Sequence, residues 1–215
     1  MSIMDMWKAN AVTLMLLIVL NLALFTLGTL PWTVLGLILL AGAMFLSFRQ
    51  GMGFGHEACG ISQTVARAND PQSPSYGQVD EKIQRRAWSV SNGVKGVLAS
   101  ALIPYVVGCL YIALSLLKVS PADAALRLVS WILAMPYWPV MLPFSQTFDH
   151  LTAPVAAVLM ISPFVMPLCI FAGYMQGPKL WARSEKAMAE GRRRAKAKSR
   201  VVRKKATPRS QRPEI

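Results

Sequence analysis

Long uncharged apolar runs, separated by short polar stretches, set the pattern of this chain. Ala9–Leu30 is 22 residues without a charge, and its polar members are Asn10, Thr13, Asn21, Thr26 and Thr29. A helix needs about 20 apolar residues to cross a hydrocarbon core of roughly 30 Å, so this run predicts a first membrane span. Gly28-Thr29-Leu30-Pro31 interrupts it, because proline has no N–H to continue the helical ladder. Trp32–Phe48 adds 17 uncharged residues and stops at Arg49. The pair predicts a tight transmembrane hairpin over residues 1–48. Val94–Leu117, with Lys95 near one end, and the uncharged Leu151–Met175 predict spans three and four within 94–175. The alternative for the first run is a cleaved secretory signal. Only Lys8 precedes it, no clean small-residue cleavage site follows, and a second apolar run starts at once. An uncleaved span is therefore expected.

Between spans three and four, Leu126–Phe144 is apolar apart from Arg127 but contains Pro136, Pro139 and Pro143. Backbone groups freed by three prolines are costly in lipid unless buried in protein. Ser120-Pro121-Ala122-Asp123 reads as an N-cap, a first-turn proline and a first-turn acid. The pattern predicts a short helix over about 121–135. An aromatic, proline-rich piece would follow at the membrane interface, where Trp131, Tyr137 and Trp138 are at home. The expected fold class is an all-α integral membrane protein with four transmembrane helices in two hairpins. An extracytoplasmic interfacial segment (118–150) and a basic tail complete it.

Charge gives this body a direction. The chain of 215 residues is 54% hydrophobic and 15% charged, yet carries a formal net charge of +13. A mean hydropathy of +0.41 excludes a disordered or ordinary soluble basic domain. Lys179–Ile215 holds fourteen Lys/Arg against three acids, whereas Met1–Pro178 is nearly balanced. With four spans, Lys8, Arg49, Arg67, Lys82, Arg85, Arg86 and the whole tail share one side. The positive-inside rule places both termini and the 49–93 loop in the cytoplasm of a cell-membrane protein. Cys59, Cys109 and Cys169 fall in the loop and in spans three and four, so no disulfide framework is expected.

Candidate chemistry is sparse. No Asp, Glu, His or Arg lies in the central part of a span, which argues against a proton- or ion-coupled transporter. Gly96, Ser100, Pro104 and Gly108 recur every four residues in span three. They offer a small-residue face for helix packing, in which Gly96, Ser100 and Gly108 are the candidates. Gly51-Met52-Gly53-Phe54-Gly55-His56-Glu57-Ala58-Cys59-Gly60 is the most unusual stretch. It follows a span rather than a strand and has no Lys-Ser/Thr, so phosphate cradling is not expected. His56, Glu57 and Cys59 cannot close a tetrahedral metal site alone, and Cys59 with His56 lacks an orienting third group. The stretch reads as a flexible exit from span two, then a short helix over about 57–68. Neither a metal nor a cofactor is implied.

Two basic elements remain. Val79–Trp88 predicts a short amphipathic helix with Lys82, Arg85 and Arg86 beside the membrane. Past Gly177-Pro178, residues 176–215 form a polybasic tail, helical over Ala182–Ser199 and disordered after Val201. Lys179 and Trp181 are expected to anchor it at the interface. Arg192, Arg193, Arg194, Lys196, Lys198, Arg200, Arg203, Lys204 and Lys205 carry the positive field. Each basic residue near an anionic leaflet gains about 1 kcal/mol. The same charges can contact RNA or a ribosome, but no aromatic follows Trp181 to read bases, so anionic lipid is favoured. The leading expectation is a non-enzymatic scaffold or subunit that uses the loop and tail to engage anionic lipid or a membrane-protein partner. Its rivals are a component of a transport or protein-insertion complex, and a membrane-interface enzyme using His56, Glu57 and Cys59.

Overall fold

The apolar runs become four long helices in the computed structural model, which describes residues 3–27, 29–74, 76–117, 120–141 and 152–206. Side chains are outside the description at 3, 29, 120–124, 141 and 197–206. The helices are α1 (Ile3–Phe25), α2 (Thr29–Ala68), α3 (Glu81–Gln84), α4 (Val90–Leu117), α5 (Ser120–Ala134), α6 (Trp138–Met141), α7 (Ala153–Met175) and α8 (Gly177–Ala206). A 3-10 turn at Met135–Tyr137 joins α5 to α6, and no described residue lies in a strand. α1, α2, α4 and the run formed by α7 with the start of α8 are long and apolar enough to cross a membrane. The chain is an all-α, multi-pass membrane protein.

Side-chain contacts set the helix directions. Phe25 meets Trp32 edge-on at 5.2 Å, and Leu17 packs with Leu40 and Ala43, so α1 and α2 are antiparallel. Gly93 lies against Phe171 and Tyr174, whereas Tyr105 meets Phe164 at 5.3 Å, so α4 and α7 are antiparallel too. Ser47 contacts Met166, and Gly55 faces Tyr174, so α2 and α7 run parallel. Consequently the start of α1 and the start of α8 lie at the same end of the bundle.

Glycines decide the α2–α7 seam. A Cβ at Gly51 would sit 2.7 Å from the Ile170 carbonyl carbon, and one at Gly173 would sit 2.9 Å from the Met52 nitrogen. Such backbone-to-backbone approach is possible only where no side chain intervenes. The same logic holds on the α4 face. Gly96 is covered by the Met6 side chain, Ser100 is 2% exposed, and a Cβ at Gly108 would sit 3.5 Å from the Leu159 carbonyl oxygen.

The structure departs from the sequence-based expectations in four places. First, residues 49–60 are not a flexible exit: α2 runs unbroken through Ala68. At 1.5 Å per residue its 40 residues span about 60 Å, twice a hydrocarbon core. Of the glycines that suggested flexibility, Gly51 and Gly55 pack against the backbone of Ile170, Tyr174 and Gly177. Second, α3 is a single turn, Glu81–Gln84, rather than a helix over 79–88, and α4 starts at Val90. Ser89 caps α4 through a 3.1 Å bond from the Asn92 N–H to its hydroxyl. Third, α5 forms as expected, but the turn after it is buried. Tyr137 is 5% exposed and packs with Leu17, Leu40, Ala43 and Met166, residues from the middle of the long helices. The Pro139 ring occupies the space over Gly36, and both Pro136 and Pro139 are fully buried. Protein, not lipid, surrounds the backbone groups these prolines leave unpaired. Pro143 lies outside the described residues. Fourth, α8 stays helical to Ala206, beyond Val201.

Candidate functional site

Beyond Phe48 and Gly173 the second half of α2 runs beside α8 as a stalk of two parallel helices, with the 77–89 return segment bound along the flank of α2. One non-helical residue, Gln176, separates α7 from α8. Pro178 explains the break, since it has no N–H for the Tyr174 carbonyl. That carbonyl instead faces Gly55, where a Cβ would also lie 2.9 Å from Gly177 Cα. Further along, the Trp181 ring lies over Gly60, 3.0 Å from where its Cβ would be. The His56 ring packs at a tilt of 54° against Trp181, centroids 4.9 Å apart, and shares a 3.1 Å hydrogen bond with the Ser184 hydroxyl. Gln63 Nε2 donates to Glu185 Oε1 at 2.7 Å. Trp181, expected as an anchor at the membrane interface, packs in the helix–helix joint.

A collar holds the base of the stalk. Met6, Ala58, Ile170 and Tyr174 are buried together, with Phe54, Trp88 and Phe171 against them. The Tyr174 hydroxyl accepts from the Ser89 N–H at 3.1 Å and donates to the Ser89 carbonyl at 3.2 Å. Its ring stacks on Trp88 at 6.1 Å. The Trp88 N–H in turn donates to the Ser62 hydroxyl at 2.8 Å and the Ala58 carbonyl at 3.1 Å. Asn92 Nδ2 reaches the carbonyls of Arg85 and Ala87. More than half of the 49–93 segment is helix, and its return path is tied to α2 and α7. Sequence reasoning missed this collar. Its aromatic signal was visible at Trp88 and Tyr174, but nothing in the spacing says that these two distant residues meet.

An open groove of about 560 Å³ runs between the two stalk helices, floored by Gly60, Trp181 and Ala189. Arg67, Lys186 and Arg192 line it as well, against a single acid, Glu185. Comparison with protein-family models, curated proteins and solved structures returned no match to this chain. Chemistry and geometry alone carry its interpretation.

The other basic candidates with described side chains are exposed. Lys179 is exposed at the foot of α8, and Arg192, Arg193, Arg194 and Lys196 are exposed beyond the last turn of α2. Lys198, Arg200, Arg203, Lys204 and Lys205 continue on the same helix, with side chains outside the description. Lys82, Arg85 and Arg86 are exposed on α3 and the turn after it, with Arg85 3.5 Å from Glu81.

His56, Glu57 and Cys59 do not converge. His56 points into the α8 joint, Glu57 is exposed, and Cys59 is buried at 9% exposure. Burial raises the Cys59 pKa, which lowers its thiolate fraction and hence its nucleophilicity. Among the described residues no three His, Cys, Asp or Glu side chains stand close enough to hold an ion.

Proposed function

We propose that this chain is a membrane-embedded scaffold whose cytoplasmic stalk presents a basic helix and groove to an acidic macromolecular partner. The observation that carries the reading is the rigid alignment of α8 along α2. Arg192 is 15 residues past Gly177, about 22 Å along the helix. Taking the membrane boundary at Phe48 and Gly173, that distance exceeds two Debye lengths, each about 8 Å at physiological salt. Screening at that range removes most of the attraction between Arg192–Arg194 and a lipid headgroup. Lys179, at the foot of α8, remains within reach of the leaflet. The cluster further out addresses something that approaches from the cytoplasm. On the opposite side, the buried Met135–Tyr137 turn reads as a re-entrant plug in the bundle.

The test compares capture by the full chain and by a variant lacking 191–215, in mild detergent. That deletion spares the Trp181 joint and the Gln63–Glu185 bond. The scaffold reading expects capture to be lost and also lost in the Arg192→Glu, Arg193→Glu, Arg194→Glu triple variant. Unchanged capture by both variants would sink it. Loss of anionic-vesicle flotation in the triple variant, with capture intact, would return the tail to lipid. Ribonuclease-sensitive capture would identify the partner as RNA.

A further inference from the structure

A cavity of about 20 Å³ lies where α1, α4, α5 and α7 meet, walled by Asn10, Pro104, Ser130, Ser162, Pro163 and Pro167 among others. That volume holds one water-sized species. Asn10 is 6% exposed, and its Oδ1 has no hydrogen-bond partner. One turn before Pro104, the Ser100 hydroxyl is equally buried and unpartnered. A buried acceptor left unmade is costly, so such groups point to an occupant.

The prolines add acceptors. In an α-helix the N–H of one residue bonds the carbonyl four residues back, and proline has no N–H. Pro104 lies inside α4, and Pro163 and Pro167 lie inside α7. They deprive the carbonyls of Ser100, Leu159 and Pro163 of their helical donors. The Leu159 carbonyl is directed at α4, 3.5 Å from where a Gly108 Cβ would be, and Leu159 and Gly108 both line the cavity. Leu159 and Pro163 line the cavity and Ser100 does not, so with Asn10 Oδ1 this makes three acceptors on residues around a space for one occupant. A water molecule donates two hydrogen bonds and leaves one of them unmet. A cation answers all three, and the Ser130 and Ser162 hydroxyls can turn lone pairs toward it. No carboxylate lines the cavity, so the field suits one positive charge rather than two. Neutral carbonyl and hydroxyl oxygens from interrupted membrane helices are suitable ligands for such ions.

We propose that this cavity binds one dehydrated alkali-metal cation, sodium or potassium, through neutral oxygens of α1, α5 and α7. The lack of ionisable side chains in the spans excludes none of these ligands, because they are backbone and amide groups. The site is independent of the scaffold reading, which rests on the stalk.

Thermal unfolding of the full chain in detergent, in sodium, potassium or N-methylglucamine chloride at matched ionic strength, tests it. A ligand bound to the native state raises the melting temperature in a saturable way. The expected result is a saturable rise with sodium or potassium and none with the organic cation. Asn10→Leu, which removes the oxygen at similar volume, should weaken the apparent affinity about tenfold or more. Pro167→Ala restores a donor for the Pro163 carbonyl and should weaken it as well. Pro154→Ala, in the first turn of α7 where no helical carbonyl is freed, should leave it unchanged. Equal melting temperatures in the three salts would overturn the proposal and leave water as the occupant. So would an alkali response that survives both Asn10→Leu and Pro167→Ala. If Asn10→Leu does not fold, the two proline variants and the wild-type salt comparison decide.

Discussion

Gly53→Ala and Gly55→Ala are the same chemical change two residues apart on one helix, and they should shift stability in opposite directions. At Gly53 a new methyl meets nothing within 4 Å. Only the penalty of glycine in a helix is removed, a gain of about 0.8–1.0 kcal/mol. At Gly55 the methyl would meet the Tyr174 carbonyl, the Tyr174 carbonyl carbon at 3.1 Å and Gly177 Cα at 2.9 Å. These are backbone atoms, and Gly177 has no side chain to rotate aside. The helices must separate, and overpacking of this kind costs about 1–3 kcal/mol. Offset by the helix gain, Gly55→Ala should lose up to about 2 kcal/mol, which puts it about 1–3 kcal/mol below Gly53→Ala. That gap is a factor of about 5 to 160 in the folding equilibrium. Equilibrium unfolding of the full chain in mixed micelles, followed by tryptophan fluorescence, measures it, with Gly42→Ala as a second open-space control. If Gly55→Ala stabilises as much as Gly53→Ala, α2 and α8 do not meet backbone to backbone, and the stalk described above is wrong.

Two further outcomes follow from the collar. Tyr174→Phe strips the Ser89 N–H and carbonyl of their partner and should cost about 1–3 kcal/mol in the same unfolding assay, whereas Tyr76→Phe, on an exposed side chain, should cost nothing measurable. Cys59, buried and with its pKa raised, should resist maleimide in the folded chain. Its labelling rate should begin to climb at a higher pH than that of a free thiol and become fast once detergent unfolds the stalk; fast labelling of the folded chain near neutrality would show that the collar is open.

The membrane class and the spans were legible in the sequence because lipid imposes a one-dimensional rule. An uncharged run long enough to cross the core must be a helix, whatever its neighbours are. Ala9–Phe25 lies in α1, Val94–Leu117 in α4 and Ala153–Met175 in α7 on that rule, while Thr29 and Leu30 open α2. The short helix between spans three and four was legible too, from Ser120, Pro121 and Asp123. What failed was the reading of residues whose conformation depends on a partner far along the chain. Gly51, Gly55 and Gly60 look like flexibility in isolation. Beside Ile170, Tyr174, Gly177 and Trp181 they are the condition for two helices to touch. Tyr137 and Trp181 look like interfacial aromatics by composition, yet one is in the core of the bundle and the other in the stalk joint. The prolines of α4 and α7 read as ordinary kinks until Asn10 is placed beside them. Hydropathy is local and could be summed along the chain. Backbone approach, the orphaned oxygen of Asn10 and the reach of the basic helix away from the bundle are properties of pairs of segments, and only the tertiary structure decides which segments pair.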